Sequence, residues 1–180
     1  NLGSGAAPVE NDFRNVDYFH LSGVSLCADV HKLPFKRNSI DTVQCLQLVE
    51  HVSEPAKMIG EIHNALKPGG EIFVTAPFTY PYHEAPIDLN RWSLEGLRSL
   101  MKEFTPIRVG VFGGPTAALI EVFHCWLSIL FSFNSDKLYQ IIYLLLIPFL
   151  KPFKIIDRLI LNRYNSSHRM ASLVYFHGKK

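Results

Sequence analysis

The sequence is poor in cysteine and in charged side chains. Its three cysteines, Cys27, Cys45 and Cys125, are widely spaced, which fits neither a disulfide framework nor a zinc site and predicts a reducing, cytoplasmic compartment. Only 19% of the 180 residues are charged, against 48% that are hydrophobic, so we expect one folded domain and not a disordered chain. The sequence starts at Asn1 without a signal peptide, as expected of a fragment or a processed chain.

Grouped metal ligands and internal repeats are also missing. His20, His31, His63, His124, His168 and His177 are scattered without the spacing of a ligand set. The sequence therefore predicts no metal site.

The two longest apolar segments are shorter than a membrane-spanning helix requires. The segments "AALIEVFHCWLSILFSF" and "LYQIIYLLLIPFL" each fall below the roughly 20 apolar residues of a spanning helix. We expect them to form buried or membrane-surface helices, with a lid over the sheet or a dimer contact as the alternative. Lys151, Lys154, Arg158 and Arg163 follow directly, as is typical of a segment lying on an anionic bilayer.

The formal net charge of +2 conceals an uneven distribution. Residues 1–150 contain 11 Lys and Arg against 15 Asp and Glu, whereas residues 151–180 contain 7 against 1. The basic character therefore belongs to the end of the chain, beside the apolar segments.

Short apolar strands alternate with helical patterns along the chain. Strands are predicted at 16–19, at 24–30, within "NSIDTVQCLQLVEHV", at "EIFVTAPF", at "PIRVGVFGG" and at "MASLVYFHG". Helices are predicted within "SEPAKMIGEIHNALKPGG" and "SLEGLRSLMKEF", the second with Ser93 as its N-cap. This alternation predicts an α/β domain with a mostly parallel sheet.

Three signals point to a ligand at the carboxyl edge of that sheet. Gly3-Ser4-Gly5 is a glycine turn that lets a ligand approach the backbone, while Asp17 and Asp29 follow the first two short strands. The nicotinamide dinucleotide fingerprint needs a third glycine where Pro8 stands, so a site of that kind is disfavoured.

The block "DVHKLPFKRNSIDTVQCLQLVEHVSEPAKMIGEIHNALKPGGEIFVTAPF" resembles the centre of class I S-adenosylmethionine-dependent methyltransferases of the type 11 family. The resemblance rests on an acidic residue, Leu-Pro-Phe, Ile-Asp, Glu-His-Val and Leu-Lys-Pro-Gly-Gly, and covers roughly residues 1–113. It implies a Rossmann-like doubly wound, mostly parallel sheet with an apolar helical insertion before the last strand. The implied domains are a cofactor-binding core at 1–115 with a truncated first strand, a helical insertion or lid at 116–165, and a final core strand at 166–180.

The resemblance also implies S-adenosylmethionine as the cofactor and a set of residues around it. Gly3, Ser4 and Gly5 would border its methionine part, Asp17 the ribose and Asp29 the adenine. Val30 would offer its backbone beside the adenine, and Cys45, Leu46 and Gln47 would line the sulfonium side. Glu50-His51 begins the next connection, and both a direct role and a packing role stay open for this pair.

The loop "TYPYHEAPIDLNRWS" concentrates polar and aromatic residues where the transferred methyl would lie. His83 is the candidate general base for an acceptor hydroxyl, because histidine is the side chain that most often exchanges a proton near neutral pH. Asp88 is the candidate that orients His83, and Arg91 would pair with Asp88 or with an acidic substrate. A loop whose polar groups only satisfy one another is the alternative.

We therefore predict an S-adenosylmethionine-dependent methyltransferase for a small-molecule or lipid-linked acceptor. Peripheral membrane contact is expected through 116–163, nucleic acid is not expected as a partner, and the oligomeric state is open. The alternative function is a non-catalytic, membrane-associated protein that keeps the methyltransferase fold.

Overall fold

The computed structural model describes residues 1–5, 13–84 and 87–180. Within them, the strands are β1 (Val16–Asp17), β2 (Leu26–Cys27), β3 (Ile40–Leu46), β4 (Leu66–Pro77), β5 (Thr105–Gly113) and β6 (Leu173–Lys179). The α-helices are α1 (Pro55–Ala65), α2 (Leu94–Leu100), α3 (Pro115–Ser132), α4 (Asp136–Leu150) and α5 (Ile155–Leu159). Short 3-10 helices cover Val49–His51, Lys151–Lys154, Leu161–Arg163 and Asn165–Met170. Pro8 and most of the connection between Gly5 and β1 lie outside the described residues.

The strands form one mixed sheet, in which β6 runs opposite to the other five strands. By strand direction the sheet is therefore mostly parallel, as expected. Strands β3 and β4 pair in parallel, and β6 lies antiparallel between β4 and β5. Strands β1 and β2 pair in parallel with each other. Leu2 joins the two groups, because it forms parallel bridges to Val16 on one side and to Cys45 on the other. The spatial order is therefore β2, β1, Leu2, β3, β4, β6, β5.

Leu2 marks the position where the strand order reverses. From Leu2 the chain passes outward through β1 to β2, and β3 then pairs on the opposite side of Leu2. Open α/β sheets bind ligands outside the carboxyl ends of strands at such a switch point. The residue that follows Leu2 at this edge is Gly3, so the first residues of the chain lie where sheets of this kind bind ligands.

Strands β1 and β2 are shorter than the predicted 16–19 and 24–30. The Asp17 carboxylate accepts a hydrogen bond from the Phe19 backbone N–H at 3.0 Å, and Asp29 accepts one from the His31 N–H at 2.8 Å. Aspartates that bond the backbone two residues further on form a turn, which ends ladder pairing.

Helices α1 and α2 follow their predicted signals. Pro55 occupies the first turn of α1, where its missing N–H costs no helical hydrogen bond, and Ser93 Oγ caps α2 by accepting from the Gly96 N–H. Ile62 of α1 and Leu97 of α2 are fully buried in the same apolar cluster as Ile72 of β4.

Helices α3 to α5 lie in sequence between β5 and β6. The buried Asp157 of α5 holds the start of α3, because its two carboxylate oxygens accept the backbone N–H groups of Thr116 and Ala117 at 2.8 and 2.7 Å. A carboxylate at a helix N-terminus satisfies orphan N–H groups and suits the helix dipole. This contact fixes α5 to α3 although 40 residues separate Ala117 from Asp157 along the chain.

The surface of α3 and α4 is unusually apolar. No residue of α4 is buried, and Leu144, Leu145 and Phe149 are 65%, 63% and 71% exposed. Within the described part of the chain, one helix, α3, is long and apolar enough to cross a membrane by those two criteria, and a third of it is buried. Large exposed apolar patches of this kind mark interaction surfaces.

Candidate active site

The glycine turn lies against the end of β1. Gly3 and Gly5 have φ values of +64° and +55°, in the left-handed region that favours glycine. A Cβ on Gly3 would lie 2.6 Å from the end of the Leu48 side chain, which would have to move to admit it. The N–H of Gly5 donates to Asp17 Oδ2 at 2.9 Å, and no described residue other than its chain neighbours lies within 4 Å of a Cβ placed on Gly5.

The predicted acidic residues lie at the same edge of the sheet. Asp17 ends β1 and is half-buried, while Asp29 follows β2 and is exposed. Hydrogen bonds from the backbone and ring of His31 lower the pKa of Asp29. Val30 is half-buried against the apolar core. The Asp29 carboxylate is therefore ionised near neutral pH, and both aspartates accept hydrogen bonds from backbone N–H groups.

The end of β3 presents mainly backbone groups, not side chains, at the carboxyl edge of the sheet. The Cys45 side chain is fully buried in the core, and burial raises the pKa of its thiol to about 12, so this residue offers the edge only its backbone. Leu46 is half-buried. Gln47 is exposed with a φ of +51°, and its N–H donates to the hydroxyl and carbonyl oxygens of Thr75 at 3.1 and 3.2 Å. Such strained backbone is concentrated at functional sites.

The structure brings the three predicted catalytic residues together. The His83 N–H donates to Asp88 Oδ2 at 3.0 Å, and His83 Nδ1 lies 3.1 Å from the same oxygen, without the alignment of a full hydrogen bond. Arg91 donates through both Nη atoms to the two oxygens of Asp88. The Asp88 side chain has no exposed surface, and the Arg91 hydrogen bonds lower its pKa to about 2.

Arg91 is fully occupied by the protein itself. Besides Asp88, its guanidinium donates to the backbone carbonyls of Tyr80, Pro81 and Asn90 at 3.2, 3.0 and 2.9 Å. These bonds use all five N–H groups of an arginine. Of the two predicted partners for Arg91, the structure shows Asp88, and Arg91 is a positioning residue for the loop.

Two further residues belong to this cluster, although the sequence left their role open. Glu50 is fully buried, and its Oε1 lies 3.9 Å from both His51 Nε2 and His83 Nε2. Among the residues that the structure describes, neither carboxylate oxygen of Glu50 has a hydrogen-bond partner. Burial raises the pKa of Glu50 to about 7. His51 Nδ1 lies 2.7 Å from the Ile87 carbonyl oxygen. The signal in the sequence is a glutamate between apolar neighbours in "LVEHV".

The backbone of Glu50 also ties this cluster to the loop after β4. Its carbonyl oxygen accepts the N–H groups of Leu89 and Asn90 at 2.9 and 3.2 Å. Since Leu46 pairs with Thr75, the segments after β3 and β4 start side by side at the carboxyl edge. This register explains why residues more than 30 positions apart meet.

A cavity of about 380 Å³ lies beside His83. One wall is the loop Tyr80–His83, and the other comes from α3 and α4. The residues from the two helices are Glu121, Cys125, Tyr139, Gln140, Tyr143 and Leu144. Its volume suits a small molecule or the head of a larger one.

Comparison with known proteins finds a methyltransferase match in part of the chain. Residues 9–74 match a family model described as "Methyltransferase domain". This segment, a little over a third of the chain, is therefore similar to a methyltransferase domain. The family's cofactor, S-adenosylmethionine, agrees with the glycine turn and Asp17 at the switch point.

Curated relatives match parts of the methyltransferase domain. A tRNA U34 carboxymethyltransferase of Campylobacter curvus is 36% identical over 63 residues, which are 34% of this chain and 21% of the relative. A ubiquinone biosynthesis O-methyltransferase of Pseudomonas paraeruginosa is 46% identical over 35 residues, 19% of this chain and 15% of the relative. The chain thus spans about a fifth of the first relative's length.

A solved structure confirms the predicted Rossmann-like α/β fold. The complex of the Haloferax volcanii Trm112 methyltransferase activator with a methyltransferase has a TM-score of 0.54 and 16% identity, and the match covers 99% of this chain and 79% of that one. The cyclase SpnF has a TM-score of 0.50 and 18% identity over 87% of this chain and 56% of its own. Fold similarity at this identity leaves the activity to be argued from the site.

Proposed function

We propose that the protein is an S-adenosylmethionine-dependent methyltransferase that acts on a small-molecule or lipid-linked acceptor. The observation that carries the proposal is the switch point at Leu2, where a left-handed glycine turn and Asp17 stand at the carboxyl edge. The catalytic loop begins at the same edge, after β4.

The residues at this edge fit the cofactor. Gly3, Ser4 and Gly5 would hold its methionine part, because a left-handed glycine turn without side chains at Gly3 and Gly5 lets a ligand approach the backbone. Asp17 would accept hydrogen bonds from the ribose, and Asp29 with Val30 would lie along the adenine. Leu46, Gln47 and the Cys45 backbone would border the sulfonium. When bound, the cofactor would supply a methyl group from its sulfonium sulfur: the acceptor atom would bond to the methyl carbon in line, and the electron pair of the broken carbon–sulfur bond would stay on sulfur as a thioether.

His83 is the proposed base on the acceptor side. The Asp88 carboxylate beside Nδ1 favours the tautomer with the proton on Nδ1, which leaves a lone pair on Nε2. That lone pair would take the proton of an acceptor hydroxyl held in the adjoining cavity. Arg91 keeps Asp88 ionised, and so maintains the orientation of the ring.

Asp17→Ala is expected to weaken S-adenosylmethionine binding at least about tenfold. The substitution removes a charged acceptor, and a hydrogen bond to such a group contributes about 1.5–3 kcal/mol. It also releases the Gly5 N–H that shapes the turn. Calorimetric titration of the full chain with S-adenosylmethionine measures the change.

The matched control is Asp41→Ala, since Asp41 lies at the opposite end of the sheet in an exposed pair with Lys67. Its affinity for the cofactor should be unchanged. Equal affinity of Asp17→Ala and the unaltered chain would show that Asp17 is not a cofactor ligand. Failure of the unaltered chain to bind would favour the non-catalytic alternative.

The acceptor is proposed to reach the cavity from the cytoplasmic surface of an anionic membrane. Leu144 lines the cavity and is also 65% exposed on the apolar face of α4, so the cavity adjoins that face. Basic residues follow α4 beside the apolar surface, and they are Lys151, Arg158 and Arg163, with Lys154 held in an ion pair with Glu121. Apolar area beside basic residues favours the interface of an anionic bilayer.

The double variant Lys151→Glu/Arg158→Glu is expected to bind phosphatidylserine vesicles much more weakly than the unaltered chain. Each basic residue near an anionic surface contributes about 1 kcal/mol, so removal of two should cost at least about 20-fold. Vesicle co-sedimentation measures the affinity, and Lys102→Glu is the control outside the basic segment. Absence of vesicle binding by the unaltered chain, together with a dimer in sedimentation analysis, would assign the apolar surface to self-association.

A further inference from the structure

The Glu50 cluster contains three acceptor groups that face one another. Oε1 of Glu50 lies 3.9 Å from Nε2 of His51 and 3.9 Å from Nε2 of His83. When one possible ligand atom is taken from each of the three residues, the three atoms lie within 4.8 Å of one another. Glu50 is fully buried, and among the described residues neither of its carboxylate oxygens has a hydrogen-bond partner. A buried polar group without a partner is costly, and a cation bound among the three residues would supply the missing partner.

The outer contacts of both rings leave Nε2 available as a lone pair. A carbonyl can only accept, so His51 Nδ1, at 2.7 Å from Ile87 O, carries the proton and donates. The Asp88 carboxylate beside His83 Nδ1 favours the same tautomer. Histidines that bind a metal usually donate the other ring N–H to a backbone carbonyl or a carboxylate, and Ile87 O and Asp88 lie at these positions beside His51 and His83.

We propose that Glu50, His51 and His83 bind a divalent transition-metal cation through the carboxylate and the two Nε2 atoms. Imidazole and carboxylate donors suit Zn²⁺, Co²⁺ and related ions. A tetrahedral ion with ligand bonds of about 2.0–2.2 Å separates its ligands by about 3.4 Å, so the 3.9 Å pairs close by roughly 0.5 Å. This proposal departs from the prediction from spacing that there is no metal site, which stays a prediction.

The proposed metal site rests on the proposed function in one respect only, which is that an acceptor would bind beside it. His83 also lines the cavity, so the remaining coordination positions of the cation would lie near a bound acceptor. The cation and an acceptor proton use the same Nε2 lone pair. Methyl transfer assayed with a chelator therefore tests the base, and cation titration without cofactor tests the metal site.

The experiment is a Co²⁺ titration of the full, chelator-treated chain, followed by calorimetry and visible absorption. We expect one Co²⁺ ion to bind per chain, with a visible absorption band typical of Co²⁺ coordinated by nitrogen and oxygen atoms. Glu50→Gln keeps the side-chain volume and should weaken binding more than about 100-fold, because even outer-layer substitutions cost about 10–100-fold. His51→Asn should do the same, and Asp88→Asn should cost about 10–100-fold through His83.

The matched control is His168→Ala, an exposed histidine on another part of the chain. It should bind Co²⁺ like the unaltered chain. No uptake by the unaltered chain overturns the proposal, and so does uptake that Glu50→Gln and His51→Asn leave unchanged. Circular dichroism verifies that both variants are folded. A chain that binds S-adenosylmethionine but not Co²⁺ would refute the metal site and leave the proposed function intact.

Discussion

His83→Ala is expected to lower the rate of methyl transfer about 10²–10⁴-fold, the range that a positioned acid–base group contributes. The substitution removes the imidazole ring of His83, which lines the cavity, and leaves the glycine turn and Asp17 in place. The affinity for S-adenosylmethionine should therefore be nearly unchanged. A loss in rate with retained cofactor binding is the signature of a residue that acts on the acceptor and not on the cofactor.

The measurement is incorporation of labelled methyl groups from S-adenosylmethionine into an extract of the source cells, with the cofactor saturating and a chelator present. His168→Ala serves as the control for loss of an imidazole elsewhere, and its rate should equal that of the unaltered chain. An unchanged rate in His83→Ala would refute the base. Mass spectrometry of the labelled product from the unaltered chain would identify the acceptor.

Arg91→Ala is expected to destabilise the protein by about 3 kcal/mol or more. Removing one partner of a buried ion pair leaves an uncompensated charge, and such changes typically cost about 3–5 kcal/mol. Here the remaining partner is Asp88, whose side chain has no exposed surface. Three backbone carbonyls of the loop lose their donor in the same step. Urea unfolding at neutral pH measures the difference in free energy.

The control for Arg91 is Arg98→Ala, because Arg98 forms an exposed pair with Glu95 three positions earlier. An exposed pair contributes about 0–1 kcal/mol, so this variant should remain close to the unaltered chain. A loss of equal size in both variants would show that the Asp88 pair is no stronger than a surface pair.

The pH dependence of this loss follows from the pKa of Asp88. Arg91 lowers that pKa from 3.8 to about 2 in the folded chain. The pair therefore stabilises the fold fully above the ordinary pKa of about 4, and this contribution disappears as the pH falls through about 2. The difference in stability between Arg91→Ala and the unaltered chain should shrink over that interval. A difference independent of pH would assign the loss to the carbonyl contacts alone.

Much of the fold could be predicted from local patterns. The β-branched run before Gln47, Pro55 at the start of α1 and Ser93 at the start of α2 act through their immediate neighbours, so sequence is sufficient to place them. The short strands were the exception. Asp17 and Asp29 turn the backbone through their own side chains, and this ended pairing earlier than the apolar pattern indicated.

The amino-acid sequence by itself determined the glycine turn, the two acidic residues after it and the loop that holds His83, Asp88 and Arg91. Those features depend on residue type and on neighbours nearby in the chain. Only the tertiary structure decided that all five N–H groups of Arg91 donate to its own loop, and that Glu50 and His51 face His83. The reason is the parallel pairing of β3 with β4, which starts two distant segments side by side and buries a carboxylate between two rings.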